Sequence, residues 1–167
     1  MGLEAPRETL RLVGDSEHPR MLATKSGTDL TDAMLTYAGQ RLKGLREKGL
    51  SGYLLKRASP SCGMERVKVH TQDGMPARTG SGLFARALMD AFPLLPVDEE
   101  GRLSDPHLRD SLITRVISYR RLTALRDSAP RPADLVAFHT ADKYRSGRRL
   151  GQWRLQSAAA QSRVEEG

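Results

Sequence analysis

Cys62 is the only cysteine of the 167 residues, and its type is the one that most directly suggests chemistry. It lies in residues 59–63, Ser-Pro-Ser-Cys-Gly, which we call the cysteine turn. A thiolate is a nucleophile and a soft metal ligand, and it forms more readily beside cations. Lys56, Arg57 and Arg66 are near it in sequence. The alternative is a small buried hydrophobic side chain, which is the commoner role of a lone cysteine.

A second candidate site is the tripeptide Gly80-Ser81-Gly82, which precedes a predicted helix. Free amides at a helix start can hold a phosphate or a carboxylate, although a structural turn is the plainer interpretation. A dinucleotide fingerprint needs a strand that runs directly into the glycines, and the turn-forming residues 71–79 argue against one. Metal-ligand spacing is absent from the four histidines, which are His18, His70, His107 and His139.

Positive charge is concentrated near the C-terminus. The net charge of the chain is +7, and residues 120–154 hold nine basic and three acidic side chains, a local excess of +6. Such a segment suits a polyanion such as RNA, because binding releases condensed counterions. A solvated arginine-rich surface is the alternative. The RNA-binding candidates are Arg120, Arg121, Lys143, Arg145, Arg148 and Arg149.

A helix and a strand are predicted to position the cysteine turn. Apolar residues recur at helical spacing over residues 29–48, and Gly49 can close this helix in a left-handed conformation. Tyr53, Leu54 and Leu55 then predict a buried strand. Cys62 therefore follows the C-terminal end of a strand, where open α/β sheets place their ligands.

The whole pattern predicts an α/β fold with a partial parallel, Rossmann-like sheet, followed by an α-helical segment. Strands are predicted at 10–13, 21–23, 66–70 and 94–97, and helices at 83–92, at 105–126 and from 133. Residues 128–132 form a linker. Asp98, Glu99 and Glu100 are expected in a solvated loop.

Composition limits the setting of the protein. A single cysteine excludes an intramolecular disulfide and indicates a reducing compartment. No apolar run approaches the length of a membrane span, and residues 1–11 lack the apolar core of a signal peptide. We therefore expect a cytoplasmic protein with no membrane partner.

The residues Leu-Lys-Arg-Ala-Ser-Pro-Ser-Cys-Gly at 55–63 resemble the thiouracil/thiouridine desulfidase (TudS-like) family, domain of unknown function 523. The likeness continues in Pro6-Arg7-Glu8, in residues 27–31 and in Gly82 with its following helix. Residues 135–144 resemble the opening of a helical YbgA-type domain, domain of unknown function 1722. The resemblance implies a partial TudS-like domain over 1–127, a linker over 128–133, the start of a YbgA-type domain over 134–145 and a disordered tail over 146–167.

The resemblance also implies chemistry. Family members hold a 4Fe–4S cluster through three cysteines, and the open iron takes sulfur from a thiolated uracil. Cys62 matches the third cluster ligand by position, with Lys56, Ser59, Ser61 and Gly63 beside it. Members fused to the helical domain are thought to act on 4-thiouridine in tRNA, so thiolated uracil and tRNA are the expected partners.

The family pattern has two further cysteines and a Cys-Pro-Glu acid upstream of the position of Gly2, and the likeness ends near Tyr144. We therefore expect a chain truncated at both ends. It should not assemble an active cluster by itself, because one thiolate cannot hold a cluster. Two alternatives remain open: a non-enzymatic RNA-binding fragment that uses the basic C-terminal segment, and an unstable remnant with an exposed sheet edge.

Overall fold

The structure is a computed structural model that describes residues 8–71 and 75–143. Its strands are β1 Leu10–Val13, β2 Arg20–Ala23, β3 Tyr53–Leu55, β4 Val67–His70, β5 Pro76–Gly80 and β6 Val97–Glu99. Its helices are α1 Thr31–Arg46, α2 Leu83–Ala91, α3 Pro106–Asp127 and α4, residues 132–143, with a 3-10 helix at Glu100–Ser104. The predicted disordered tail at 146–167 lies outside the described residues.

Four strands form one mixed sheet in the order β2-β1-β4-β5. β1 pairs antiparallel with β2 and parallel with β4, and β4 pairs antiparallel with β5. β3 and β6 form a separate parallel pair with Tyr53 opposite Val97. The predicted α/β class with parallel strands is confirmed, and the antiparallel pairs arise where short connections join neighbouring strands.

The buried core at the mixed sheet follows the alternation of side chains along the strands. Leu12 on β1 and both Val67 and Val69 on β4 are buried, whereas the intervening Lys68 is exposed. Successive side chains of a strand point to opposite faces, so one face of the sheet is covered and the other carries polar groups.

α1 and α2 pack against each other beside the strands. The buried residues of α1 recur at three- and four-residue spacing, as the sequence predicted; they are Met34, Ala38, Leu42 and Leu45. Asp29 supports the start of this helix, because its Oδ1 accepts the backbone N–H of Thr31 at 2.9 Å.

Three predictions along the chain are wrong. Part of the stretch 71–79 was predicted as turn, but Pro76–Gly80 is strand β5, because its backbone completes a ladder with β4. The predicted strand at 94–97 begins only at Val97 and continues through Asp98 and Glu99. Both carboxylates are therefore buried rather than in a solvated loop.

The chain divides into two compact units, Met1–Leu112 and Ile113–Gly167. This division falls within α3, whereas the predicted limit at 127 and the 128–133 linker fall at its end. The predicted helix starts agree with the structure: Asp105 Oδ1 accepts the N–H of His107 at 2.8 Å as α3 begins. In the second unit Ser118 Oγ donates to Asp142, which joins α3 to α4.

Candidate functional site

The cysteine turn follows β3 and holds its own shape through serine hydroxyls. The backbone N–H of Cys62 donates to Ser59 Oγ at 3.2 Å, and the N–H of Gly63 donates to the Ser59 carbonyl at 2.8 Å. Ser61 Oγ lies 3.1 Å from Ser59 Oγ and 3.4 Å from Cys62 Sγ. The free thiol is half-buried and in contact with a hydroxyl.

The start of α2 is fastened to this turn. Four of its amides donate to turn carbonyls: Gly82 to Gly63 (2.8 Å), Leu83 to Pro60 (3.2 Å), and Phe84 and Ala85 to Ser61 (2.9 and 3.1 Å). These are amides that an anion would need. These amides are therefore not free to bind an anion at the predicted site, Gly80, Ser81 and Gly82. Instead they attach the start of α2 to the cysteine turn.

Glycines allow this close contact. A Cβ on Gly82 would lie 2.4 Å from the carbonyl carbon and oxygen of Ser61, and one on Gly63 would lie 2.4 Å from Val67 Cγ2. β5 does run directly into Gly80, contrary to the prediction of a turn there. The glycines that resemble a dinucleotide fingerprint are explained by packing: Gly80 against Val69 and Gly82 against the cysteine turn.

Sequence reasoning missed two buried carboxylates on β6. Glu99 Oε1 accepts the N–H of Met64 at 2.7 Å, directly after the cysteine turn. Asp98 Oδ1 accepts the N–H of Glu99 at 3.0 Å and lies 2.7 Å from Arg102 Nε. A buried carboxylate is costly unless it is paired or hydrogen-bonded. The available signal was Val97, since a strand that continues through residue 99 places both acids beside β3.

Lys56 and Arg57, which precede the turn, are both bound by Glu100. Lys56 Nζ lies 2.8 Å from Glu100 Oε1, and the N–H of Arg57 donates to Oε2 at 2.8 Å. The hydrogen bond from Lys56, followed by that from Arg57, holds the pKa of Glu100 below its usual value. Lys56, a predicted neighbour of the site, is therefore engaged in an ion pair.

Tyr53 on β3 belongs to the same region. Its ring centroid lies 6.1 Å from that of Phe84 on α2. Burial raises the pKa of Tyr53 above its usual value; the charge of Arg41 opposes this shift, and Cys62 and Tyr37 add to it.

The predicted RNA-binding residues are only partly described. Arg120 on α3 and Lys143 at the end of α4 are exposed. The guanidinium of Arg121 is half-buried and lies 5.7 Å from the ring centroid of Phe138. Arg145, Arg148 and Arg149 lie outside the described residues.

Within residues 8–71 and 75–143, no three side chains of His, Cys, Asp or Glu are grouped so that they could hold a metal ion. In the same ranges no helix is long and apolar enough to cross a membrane. Cys62 is therefore not part of such a group in the described part of the chain.

Comparison with known proteins gives three matches. A family model described as 2-thiouracil desulfurase matches residues 1–100. The uncharacterized protein YbbK of Bacillus subtilis (strain 168) is 32% identical over 95 residues, which cover 54% of this chain and 62% of that protein. A solved [4Fe-4S]-dependent thiouracil desulfidase, TudS, is 27% identical with a TM-score of 0.49, over 66% of this chain and 67% of that one.

The chain thus spans 62% of the length of its curated relative. The family model covers more than half of the 167 residues and includes the cysteine turn, the start of α2 and β6. The chain belongs to the 2-thiouracil desulfurase family.

Proposed function

We propose that the sulfur of a thiolated uracil is bound at the cysteine turn of this chain, in a site that converts the base only when further cluster ligands from outside these residues complete it. The observation that carries this proposal is the set of contacts that hold the cysteine turn, which lies within the matched residues 1–100. Its thiol is half-buried and touches the Ser61 hydroxyl. Amides of α2 bind the backbone carbonyls of the turn, and Glu99 binds the N–H of Met64 directly after it. A group held by several elements is preorganised for a substrate.

The groups around Cys62 suit sulfur chemistry. A thiolate is a soft ligand and pairs well with soft partners. The Ser61 hydroxyl lies at 3.4 Å from the sulfur and can donate a hydrogen bond to it. The Tyr53 phenol is protonated at neutral pH and can donate a hydrogen bond, and burial raises its pKa further. These groups bind and orient the base in this proposal.

The cofactor implied by the sequence resemblance is a 4Fe–4S cluster, which chemically would take up the sulfur atom. Such clusters are held by about three or four cysteine thiolates. The donor set here does not fit, since Cys62 is the only cysteine of the 167 residues and the described residues group no alternative ligands beside it. We propose that Cys62 is one cluster ligand and that the other thiolates come from outside these residues.

We further propose that the thiolated uracil is 4-thiouridine within tRNA. The support is electrostatic: the net charge is +7 and residues 120–154 carry a local excess of +6. A polyanionic substrate gains affinity from such charge.

A titration of the ¹⁵N-labelled chain with 4-thiouracil and with uracil tests the site. We expect the amide signals of residues 59 and 61–64 to shift with 4-thiouracil and to stay in place with uracil, because the two bases differ only in sulfur in place of one oxygen. The variant Cys62→Ser should lose most of this response. Equal shifts with both bases, or shifts confined to other residues, would contradict the proposal.

A second candidate function is RNA binding by the basic C-terminal segment alone. The exposed positions of Arg120 and Lys143 favour it. It predicts a salt-dependent affinity for tRNA that is lost when Arg145, Arg148 and Arg149 are replaced with Gln. An unchanged affinity in that variant would contradict this function.

A further inference from the structure

A cleft of about 480 Å³ borders the cysteine turn at Pro60 and also contacts Ala58 directly before the turn. We call it the cationic cleft, because five of its lining side chains are positively charged: Arg11, Arg57, Arg66, Lys68 and Arg78. No aspartate or glutamate of the described residues lines it. It lies on the polar face of the mixed sheet, opposite the buried face.

Three of these cations form a row across adjacent strands. Lys68 and Arg78 are direct partners in the β4–β5 ladder. Leu12 is the partner of Val69 in the β1–β4 ladder. Arg11 and Lys68 each stand one residue earlier, so they are neighbours as well. Adjacent strands lie about 4.8 Å apart, so the row spans about 10 Å.

Repulsion among the three cations of this row destabilises the folded chain when no ligand is bound. Like charges directly opposite each other in a sheet are destabilising. None of the five cationic side chains pairs with a carboxylate among the described residues. An anionic ligand in the cleft would remove this repulsion.

The backbone beside the cleft has an unusual conformation at two positions. Ala58 has a φ of 56° and Arg66 a φ of 55°. Residues other than glycine adopt this left-handed region at a cost, and such positions gather at ligand-binding sites. Both residues line the cleft, so this observation agrees with the charge pattern.

We propose that the cationic cleft binds the phosphodiester backbone of a single RNA strand and directs a base of that strand toward the cysteine turn. Arginine and lysine are the usual partners of phosphate oxygens. A row of separated cations matches successive phosphates of a strand, whereas one isolated phosphate would engage only part of it. The proposal rests on the proposed function only for the identity of the base, a thiolated uracil.

Fluorescence anisotropy with a labelled, unmodified oligouridylate of about ten nucleotides tests the cleft. The test variant combines three substitutions in the row: Arg11→Gln, Lys68→Gln and Arg78→Gln. The control variant changes the charge equally at three lysines that do not line the cleft: Lys25→Gln, Lys43→Gln and Lys48→Gln.

We expect the test variant to bind RNA at least about tenfold more weakly at low salt. The slope of log affinity against log salt should fall by about 2, because each contact with a single strand contributes about 0.7. The control variant should keep most of the affinity and the slope. The test variant should melt no lower than the parent chain, since its substitutions remove like-charge repulsion.

Equal losses in the two variants would overturn the proposal, because they would reflect net charge alone. Loss only when Arg145, Arg148 and Arg149 are replaced would overturn it in favour of the C-terminal segment. Uridine monophosphate or polyglutamate that binds as tightly, with the same dependence on the row, would also overturn it, since the ligand would then be a mononucleotide or an acidic peptide.

The probe contains no sulfur, so this measurement is independent of the titration with 4-thiouracil. If the cleft binds RNA but the amides of residues 59 and 61–64 do not respond to 4-thiouracil, RNA binding at the cleft is supported and the proposed function is contradicted. If these amides respond to 4-thiouracil but the cleft does not bind RNA, only the proposal of RNA binding at the cleft is contradicted.

Discussion

At the scale of single residues, the segment after Cys62 is held by a hydrogen bond to Glu99 that no local sequence pattern predicts. The cysteine, its two serines and Gly63 were predicted as a turn because their types favour one. Glu99 was assigned to solvent because carboxylates are rarely buried unless they are paired. Its partner, the N–H of Met64, is 35 residues away, and no local pattern reports such a pairing.

Replacing Glu99 tests this contact. Glu99→Ala leaves the N–H of Met64 without its acceptor, and we expect the free energy of unfolding to fall by about 1.5–3 kcal/mol. Glu99→Gln keeps a side-chain oxygen and should lose less. Urea denaturation measures both, and the rate at which Cys62 reacts with a thiol reagent should rise in the alanine variant. Equal destabilisation by the two variants would show that the hydrogen bond is not the cause.

Asp29 makes stability depend on pH. Hydrogen bonds from the Thr31 hydroxyl and N–H, followed by Arg20, lower the pKa of Asp29 from 3.8 to about 2. A carboxyl whose pKa is lower in the folded state stabilises that state above its unfolded pKa, and this contribution disappears as the pH falls through the folded value. Thermal melts between about pH 5 and 2 should therefore decline more steeply for the parent chain than for Asp29→Asn. Identical declines would contradict the assignment.

At the scale of elements, α2 and the cysteine turn form one unit. The helix at 83–92 and the turn at 59–63 were each predicted from local composition. Their contact was not, because the Ser61 carbonyl and the N–H of Phe84 come together only in the folded chain. β5 was missed for a related reason: its alternation is weak, and pairing with β4 makes it a strand.

A glycine comparison tests the fit of α2 against the turn. In Gly82→Ala the new Cβ would collide with the Ser61 carbonyl, and we expect a loss of about 1–3 kcal/mol in unfolding free energy. The matched control is Gly39→Ala in the middle of α1, where a Cβ meets nothing within 4 Å. It should gain about 0.5–1 kcal/mol, because alanine favours a helix. If Gly82→Ala proves as harmless as the control, the contact is not tight.

At the scale of the whole molecule, the α/β class and the order of most helices and strands could be predicted from the sequence, because periodicity and turn residues are local signals. Sheet order, the antiparallel β5 and the division within α3 after Leu112 depend on contacts between distant segments. The family match covers residues 1–100. The YbgA-type identity of residues 134–145 stays a prediction, although α4 confirms that 132–143 are helical.

Anaerobic reconstitution of the 167-residue chain with iron and sulfide tests the central proposal, that Cys62 is a sulfur-site ligand whose partner thiolates lie outside these 167 residues. We predict iron and sulfide contents well below the roughly four of each that a complete cluster contains, with 4-thiouracil left unconverted. What little iron binds should be lost in Cys62→Ser. Four iron and four sulfide per chain, together with formation of uracil, would contradict the account.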